Sequence, residues 1–281
     1  MIKTKSRNRN FIYSFKIQDT VEYANLYPDQ TLAKNEMHIV KVIYESFVIP
    51  ADEDYLTARL LFKSKLYRGF YWSASQCIEK YLKAFLLLHD ISVKNSKGHA
   101  IKPLFNQAIK IDKKLEEIDF KIHPDINIDK NFYEQISLEN FLNDIESYGN
   151  ADNRYNSVGV YFGIEHLFAL YKFVFLLRDK IEVPDINDSF KRLDNDTNTE
   201  SVLKDYNPWF FKDNPQNKKV LPNQDFSIGW TLSSTCLNFL KKNYDHPEYS
   251  LALKWLNEKM KLPSDIEKLV TSKVKITKKD T

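Results

Sequence analysis

Gly69-Phe-Tyr-Trp-Ser-Ala-Ser-Gln76-Cys-Ile-Glu79-Lys80-Tyr-Leu-Lys83-Ala84 is the stretch that decides the fold of this chain. Within it and just beyond, Phe70, Ala74, Cys77, Ile78, Tyr81, Phe85 and Leu88 recur at intervals of three and four. That spacing places them on one face of an α-helix running to about His89. Tyr71, Leu82 and Leu86 widen the apolar face, so the helix is expected to lie centrally. Glu79 precedes Lys83 by four positions, the favourable order for an ion pair on a helix surface.

Upstream, Ala51-Asp-Glu-Asp-Tyr-Leu-Thr-Ala58 reads as an acidic helix start, because carboxylates favour exposed amides and the positive end of the helix dipole. Tyr55, Ala58, Leu61, Phe62 and Leu66 continue at helical spacing until a break near Arg68-Gly69. Downstream, Asp90 to Gly98 is polar and reads as a loop. Ile101, Leu104, Phe105, Ala108, Ile109 and Ile111 mark the inner side of a third helix. Phe120 to Asn131 reads as another loop, Tyr133 to Tyr148 as a shorter amphipathic helix, and Gly149 to Asn156 as an interruption. Val158 to Ile181 is apolar nearly all round, as a helix buried on most sides should be.

Pro184 to Asn223 is polar and punctuated by Pro184, Pro208, Pro215 and Pro222, so a linker or extended loop is expected there, with Trp209-Phe210-Phe211 as an anchor. Ile228 to Lys241 and Tyr249 to Lys261 read as further helices, and Ser264 and Glu267 have capping-box spacing. The expected organisation is an N-terminal segment packing on the bundle (1–50), a helical bundle (51–181), a linker or extended loop (182–225) and a C-terminal helical extension with a basic tail (226–281). The fold class is all-α, an up-and-down helical bundle with added N-terminal and C-terminal parts.

Composition narrows the chemistry. A 281-residue chain with 43% hydrophobic residues can bury a real core. Six glycines argue against sandwiches, barrels and glycine-lined phosphate sites. A net charge of +3 announces no global basic field, although Lys3, Lys5, Arg7 and Arg9 crowd one end and Lys273, Lys275, Lys278 and Lys279 the other. Cys77 and Cys236 cannot build a disulfide framework, which points to a reducing compartment and a cytoplasmic location. The basic, polar first ten residues do not resemble a signal peptide. Val160 to Leu177 carries Glu165, His166 and Lys172, so it is not expected to span a membrane. No His-Glu-x-x-His, Cys-x-x-Cys or phosphate-binding glycine loop is present, and neither a metal nor a cofactor is expected.

Four pieces of this sequence, in order, resemble the HEPN domain family. They are the acidic start with Ala58, the Gln76-x-x-Glu79-Lys80-x-x-Lys83-Ala84 core, Gly98-His99-Ala-Ile-Lys-Pro-Leu104, and Ala151-Asp-Asn-Arg154-Tyr155. The resemblance covers about Ala51 to Lys180. It implies a helical bundle that dimerises, found in prokaryotic toxins and defence proteins. Some members are metal-independent ribonucleases, and others bind nucleotides, nucleic acids or proteins.

The ribonuclease members place four to six residues between Arg and the following His, at the start of the last helix. There His moves a proton during attack by a 2'-hydroxyl, and Arg offsets charge developing on the phosphate. Here Arg154 stands in the expected place, but Gly159, Val160 and Tyr161 occupy the histidine slots. His166 comes twelve positions after Arg154, about 18 Å further along a helix axis.

The resemblance therefore implies a domain without the standard pair, binding RNA, a nucleotide or a protein, with a defence or stress setting. The alternative is a metal-independent ribonuclease with an atypical site around Arg154, in which Tyr161 takes part. Arg154, Tyr155 and His99 are the candidate ligand-binding residues; Arg154 and Tyr161 are the catalytic candidates. Each also has a plain structural reading: Arg154 bridging to Asp152 or Glu146, His99 capping a helix, Tyr161 in a core or interface, and His166 as a satisfied core or dimer-face histidine. The expected partners are a second copy of the chain, an RNA or nucleotide ligand, and a protein docking on the C-terminal region.

Overall fold

The computed structural model describes residues 38–96, 100–126, 134–150, 163–181, 203–204, 207–213, 215–218 and 236–277, with the single positions Asn153 and Val160. Among these residues the secondary structure is helical, without strands. The chain divides into two compact units. The bundle unit comprises Phe47–Phe85 and Lys97–Trp230, and the terminal unit comprises Met1–Ser46, Leu86–Ser96 and Thr231–Thr281.

The bundle unit is built on α1 (Ile49–Lys63), α2 (Tyr67–Leu88, whose last turn belongs to the terminal unit), α3 (Ile101–Ile111), α4 (Leu138–Tyr148) and α5 (Ile164–Ile181). The helical spacing of α2 puts Phe70, Tyr71, Ala74, Cys77, Ile78, Tyr81 and Leu82 fully inside. On α5 the buried positions run almost continuously from Glu165 to Val174, as an apolar surface on every side requires. Phe173 of α5 meets Phe105 of α3 at 5.8 Å and Phe141 of α4 at 5.7 Å between ring centroids. Tyr171 meets Tyr55 of α1 at 6.0 Å. The aromatic residues are thus the common floor on which four helices converge.

Several sequence expectations are corrected in detail. The acidic triplet does not open a helix: helical backbone already runs through 38–43 and a π-helical turn, Tyr44–Val48, before α1. Asp52 lies in the first turn of α1 yet is 1% exposed, so its carboxylate has a tertiary partner rather than a capping role. α4 begins at Leu138 instead of Tyr133, because the Ser137 side chain accepts a hydrogen bond from the Asn140 amide and fixes the start there. The last bundle helix begins at Ile164, since Val160 and Gly163 are not helical; Val158, Gly159, Tyr161 and Phe162 lie outside the described residues. Glu79 and Lys83 pair as expected, at 2.5 Å.

The Trp209-Phe210-Phe211 anchor is seated within the bundle unit. A short 3-10 turn, Pro208–Phe210, starts where the Asn207 side chain accepts from the Trp209 amide. Trp209 Nε1 donates to the Phe168 carbonyl at 3.1 Å, its ring lies 4.6 Å from the Phe168 ring, and Lys172 Nζ stands 4.3 Å from its centroid. Phe210 meets Phe175 edge-on at 4.6 Å. Trp209→Ala removes the ring, the hydrogen bond and the cation–π contact together, and is expected to cost about 2 kcal/mol of stability. Urea unfolding is the check, and an unchanged midpoint would show that the turn only rests on α5.

The terminal unit carries α6 (Cys236–Lys242), α7 (Pro247–Lys259) and α8 (Ser264–Thr277). The segment after α2 caps the end of α7: the Val93 amide donates to the Lys259 carbonyl at 2.8 Å, and Lys94 Nζ donates to the Asn257 carbonyl at 2.5 Å. The Cys236 amide donates to Glu45 Oε2 at 2.6 Å, and Trp255 is 1% exposed at the centre of α7. The proposed capping box at Ser264 is not the arrangement found. Ser264 is already the first helical residue, and the Ile266 and Glu267 amides donate to the Pro263 carbonyl.

Candidate functional site at the head of the last bundle helix

Arg154, Tyr155, Tyr161 and His99 all lie outside the described residues. What is described is the framework on either side of the Arg154 segment. On the near side, Gly149 follows α4 and donates its amide to the Ile145 carbonyl at 2.9 Å. Its backbone is pressed against α2, so that a Cβ there would sit 2.5 Å from both the Tyr71 carbonyl oxygen and Ser75 Cβ. Asn153, 2% exposed, donates from Nδ2 to the Tyr148 carbonyl at 3.1 Å. The Tyr71 ring meets Tyr148 at 5.0 Å and His166 at 5.4 Å, both edge-on.

On the far side, α5 opens with Glu165 and His166. The Glu165 carboxylate folds over Gly163 so closely that a Cβ there would overlap it. His166 is 1% exposed; its Nε2 lies 2.9 Å from Asp144 Oδ2 and its Nδ1 lies 3.6 Å from Glu165 Oε1. Both ring nitrogens are thus turned toward carboxylates of the same unit. The Asp144–His166 contact ties the last turns of α4 to the first turn of α5, closing the stretch that carries Arg154.

A second polar cluster occupies the other end of α5. Arg178, in its last turn, donates to Asp52 Oδ1 and to the Tyr81 hydroxyl, and Tyr81 donates to the same carboxylate oxygen. Burial raises the Asp52 carboxyl above its ordinary range, with Arg178 and Tyr81 pulling it back. Burial works against the Arg178 charge, but Tyr81 and Asp52 outweigh it and hold the guanidinium protonated. Asp54, two residues further along α1, pairs with Lys80. Cys77, buried beside these acids, has its thiol pushed well above the usual range, first by burial and then by the Asp54 and Asp52 charges, which leaves it a core residue rather than a nucleophile. Cys236 is likewise pushed up to about 12, by burial and Glu45. Among the described residues no group of three or more His, Cys, Asp or Glu side chains is placed to hold a metal ion.

Residues 44–144 match the model of the HEPN domain. This segment is a HEPN domain. It covers α1 to most of α4, including Asp52, the Gln76–Ala84 core and Asp144, and it stops short of Arg154. No curated protein and no solved structure matches the chain. No described helix is long and apolar enough to cross a membrane. Sequence reasoning singled out the Arg154 side of the site from the HEPN resemblance. It missed Asp144 and the Asp52–Tyr81–Arg178 cluster, because partners 22 to 126 positions apart leave no local spacing to read.

Proposed function

We propose that this HEPN domain works by binding an RNA or nucleotide ligand at the Arg154 segment, without the Arg–His ribonuclease chemistry found elsewhere in the family. The observation that carries this reading is His166. It is the histidine that follows Arg154 in the sequence, and its ring is buried with both nitrogens turned toward Asp144 and Glu165. A ring held in that way cannot approach a ribose 2'-hydroxyl to take its proton. Gly159 and Val160 in the other slots have no titratable side chain. What is left at the expected place is the cation, Arg154, which suits phosphate contact. The same reading has the domain paired with a second copy, as the HEPN resemblance implies.

The test is incubation of the purified full chain, with chelator, against a mixed RNA pool. The expected result is intact RNA, retained on the protein at low salt and released as salt rises. Arg154→Ala should weaken retention about five- to tenfold. Metal-independent cleavage that disappears in Arg154→Ala would replace this reading with the ribonuclease alternative, in which Tyr161 becomes the next residue to substitute. Retention indifferent to Arg154 would remove the ligand site from this segment.

A further inference from the structure

The positive charge of the chain is not evenly divided. The terminal unit holds 18 Lys and Arg against 12 Asp and Glu, a net of +6, whereas the bundle unit holds 23 against 26, a net of −3. The part of the chain containing the HEPN domain core is therefore net acidic, and the excess positive charge that attracts a polyanion at long range lies on the terminal unit.

That unit also displays an aromatic cluster. Phe239 of α6 is 41% exposed, one of two large hydrophobic side chains so exposed among the described residues. The other, Leu66, is aliphatic. Phe239 is not an isolated ring. It lies parallel to His38 at 6.0 Å, and Tyr249 of α7 meets it edge-on at 5.1 Å. Exposed His246, at the position preceding α7, meets the Tyr249 ring at 5.0 Å. The α6–α7 turn thus sets two solvent-facing rings, Phe239 and His246, on one rigid aromatic support. Exposed Lys242 follows Phe239 by three positions on the same side of α6, and exposed Asn243 comes directly after the helix. Exposed Lys261 and Lys268 add charge elsewhere on the unit, while Lys241 is taken up by Asp265 at 2.5 Å.

We propose that the Phe239–His246–Tyr249 cluster, with Lys242, is a stacking platform for single-stranded nucleic acid. An exposed flat ring held by neighbours offers a base a π-face without losing side-chain entropy on binding, and an adjacent lysine meets the phosphate of the same nucleotide. Base stacking on such rings tolerates any sequence, so the platform supplies affinity rather than base choice. An acidic peptide would use the lysines but has no planar group for the rings. Duplex nucleic acid would likewise meet the charge but hides its base faces. The platform is separate in residues from the Arg154 segment, so Phe239→Leu and Arg154→Ala test the two sites separately.

The test uses the full chain and a short single-stranded RNA carrying 2-aminopurine, read by fluorescence anisotropy and by quenching of the base analogue. The wild-type protein is expected to bind and to quench. Phe239→Leu, which keeps an apolar side chain but removes the ring, should weaken binding about tenfold and abolish much of the quenching, whereas Phe239→Tyr should retain both. Lys242→Ala should lower the slope of log K against log salt by about 0.7, the value for one phosphate of a single strand. Lys110→Glu with Lys113→Glu, exposed on the bundle unit, is the control for general charge. The proposal is overturned by any of four results: no binding of single strands, a Phe239→Leu protein that binds and quenches like wild type, equal loss in the bundle control, or displacement of the RNA by polyglutamate as readily as by unlabelled RNA. A thermal melt of Phe239→Leu identical to wild type ties the loss to the platform, and a lowered melt is resolved by the Phe239→Tyr protein.

Discussion

Arg178→Met is expected to lower the stability of the bundle unit by about 3 kcal/mol, a fall in Tm of roughly 5–10 °C. The reason is the state in which it leaves Asp52. That carboxylate is 1% exposed, with Arg178 and Tyr81 as its hydrogen-bond donors, and its second oxygen has no hydrogen-bond partner. Without the guanidinium, a buried charge faces a single phenol. The group then either protonates or draws the end of α1 toward water, and both cost free energy. The pair as a whole contributes far less than this, because both charges lost hydration on folding. Asp52→Leu combined with Arg178→Met should therefore recover most of the loss. Thermal melts of the two single variants and the double variant form the cycle, and simple additivity of the two losses would show that the pair is not coupled.

Gly149→Ala is the second large effect, at about 2–3 kcal/mol. Gly149 has φ −85° and ψ 5°, a conformation open to any residue, so backbone strain is not the cause. The cause is space. A methyl group there meets the Tyr71 carbonyl and Ser75 Cβ at 2.5 Å and the Ile145 carbonyl at 2.6 Å, and two of these are backbone atoms of helices that cannot turn aside. The end of α4 must move away from α2, and the Arg154 segment begins at that point. Chemical denaturation measures the cost. Ser75→Gly in the same chain should restore only part of it, because the two carbonyl contacts remain; full rescue would mean that the side chain alone was in the way.

Both residues illustrate how the chain could and could not be read. The break expected near Arg68-Gly69 falls instead at Ser64 to Leu66, so the first turn of helix α2 was missed. From Phe70 onward α2 was legible, because its buried residues recur every three to four positions and that period is a local property of the sequence. The Glu79–Lys83 pair was legible for the same reason. Asp52 was seen, but as one of three acids favouring a helix start. Its true partners are Tyr81, 29 positions away, and Arg178, 126 positions away. His166 was read as a satisfied core or dimer-face histidine from its apolar helix, while Asp144, which holds it, gave no sign. The Arg154, Tyr155, Tyr161 and His99 readings rest on the HEPN resemblance and lie outside the described residues.

By itself, then, the sequence determined the all-α class, the helices of the bundle and the absence of a histidine from the slots after Arg154. These depend on residue type and short-range period, which a chain carries whether folded or not. The tertiary structure alone decided that Asp52 of the acidic triplet pairs with Arg178, that His166 is held by carboxylates, and that Gly149 is fixed by the approach of α2. It also decided that Phe239 and His246 share one support. Such facts depend on which distant side chains meet, and a one-dimensional pattern does not encode those meetings because they follow from how the helices pack.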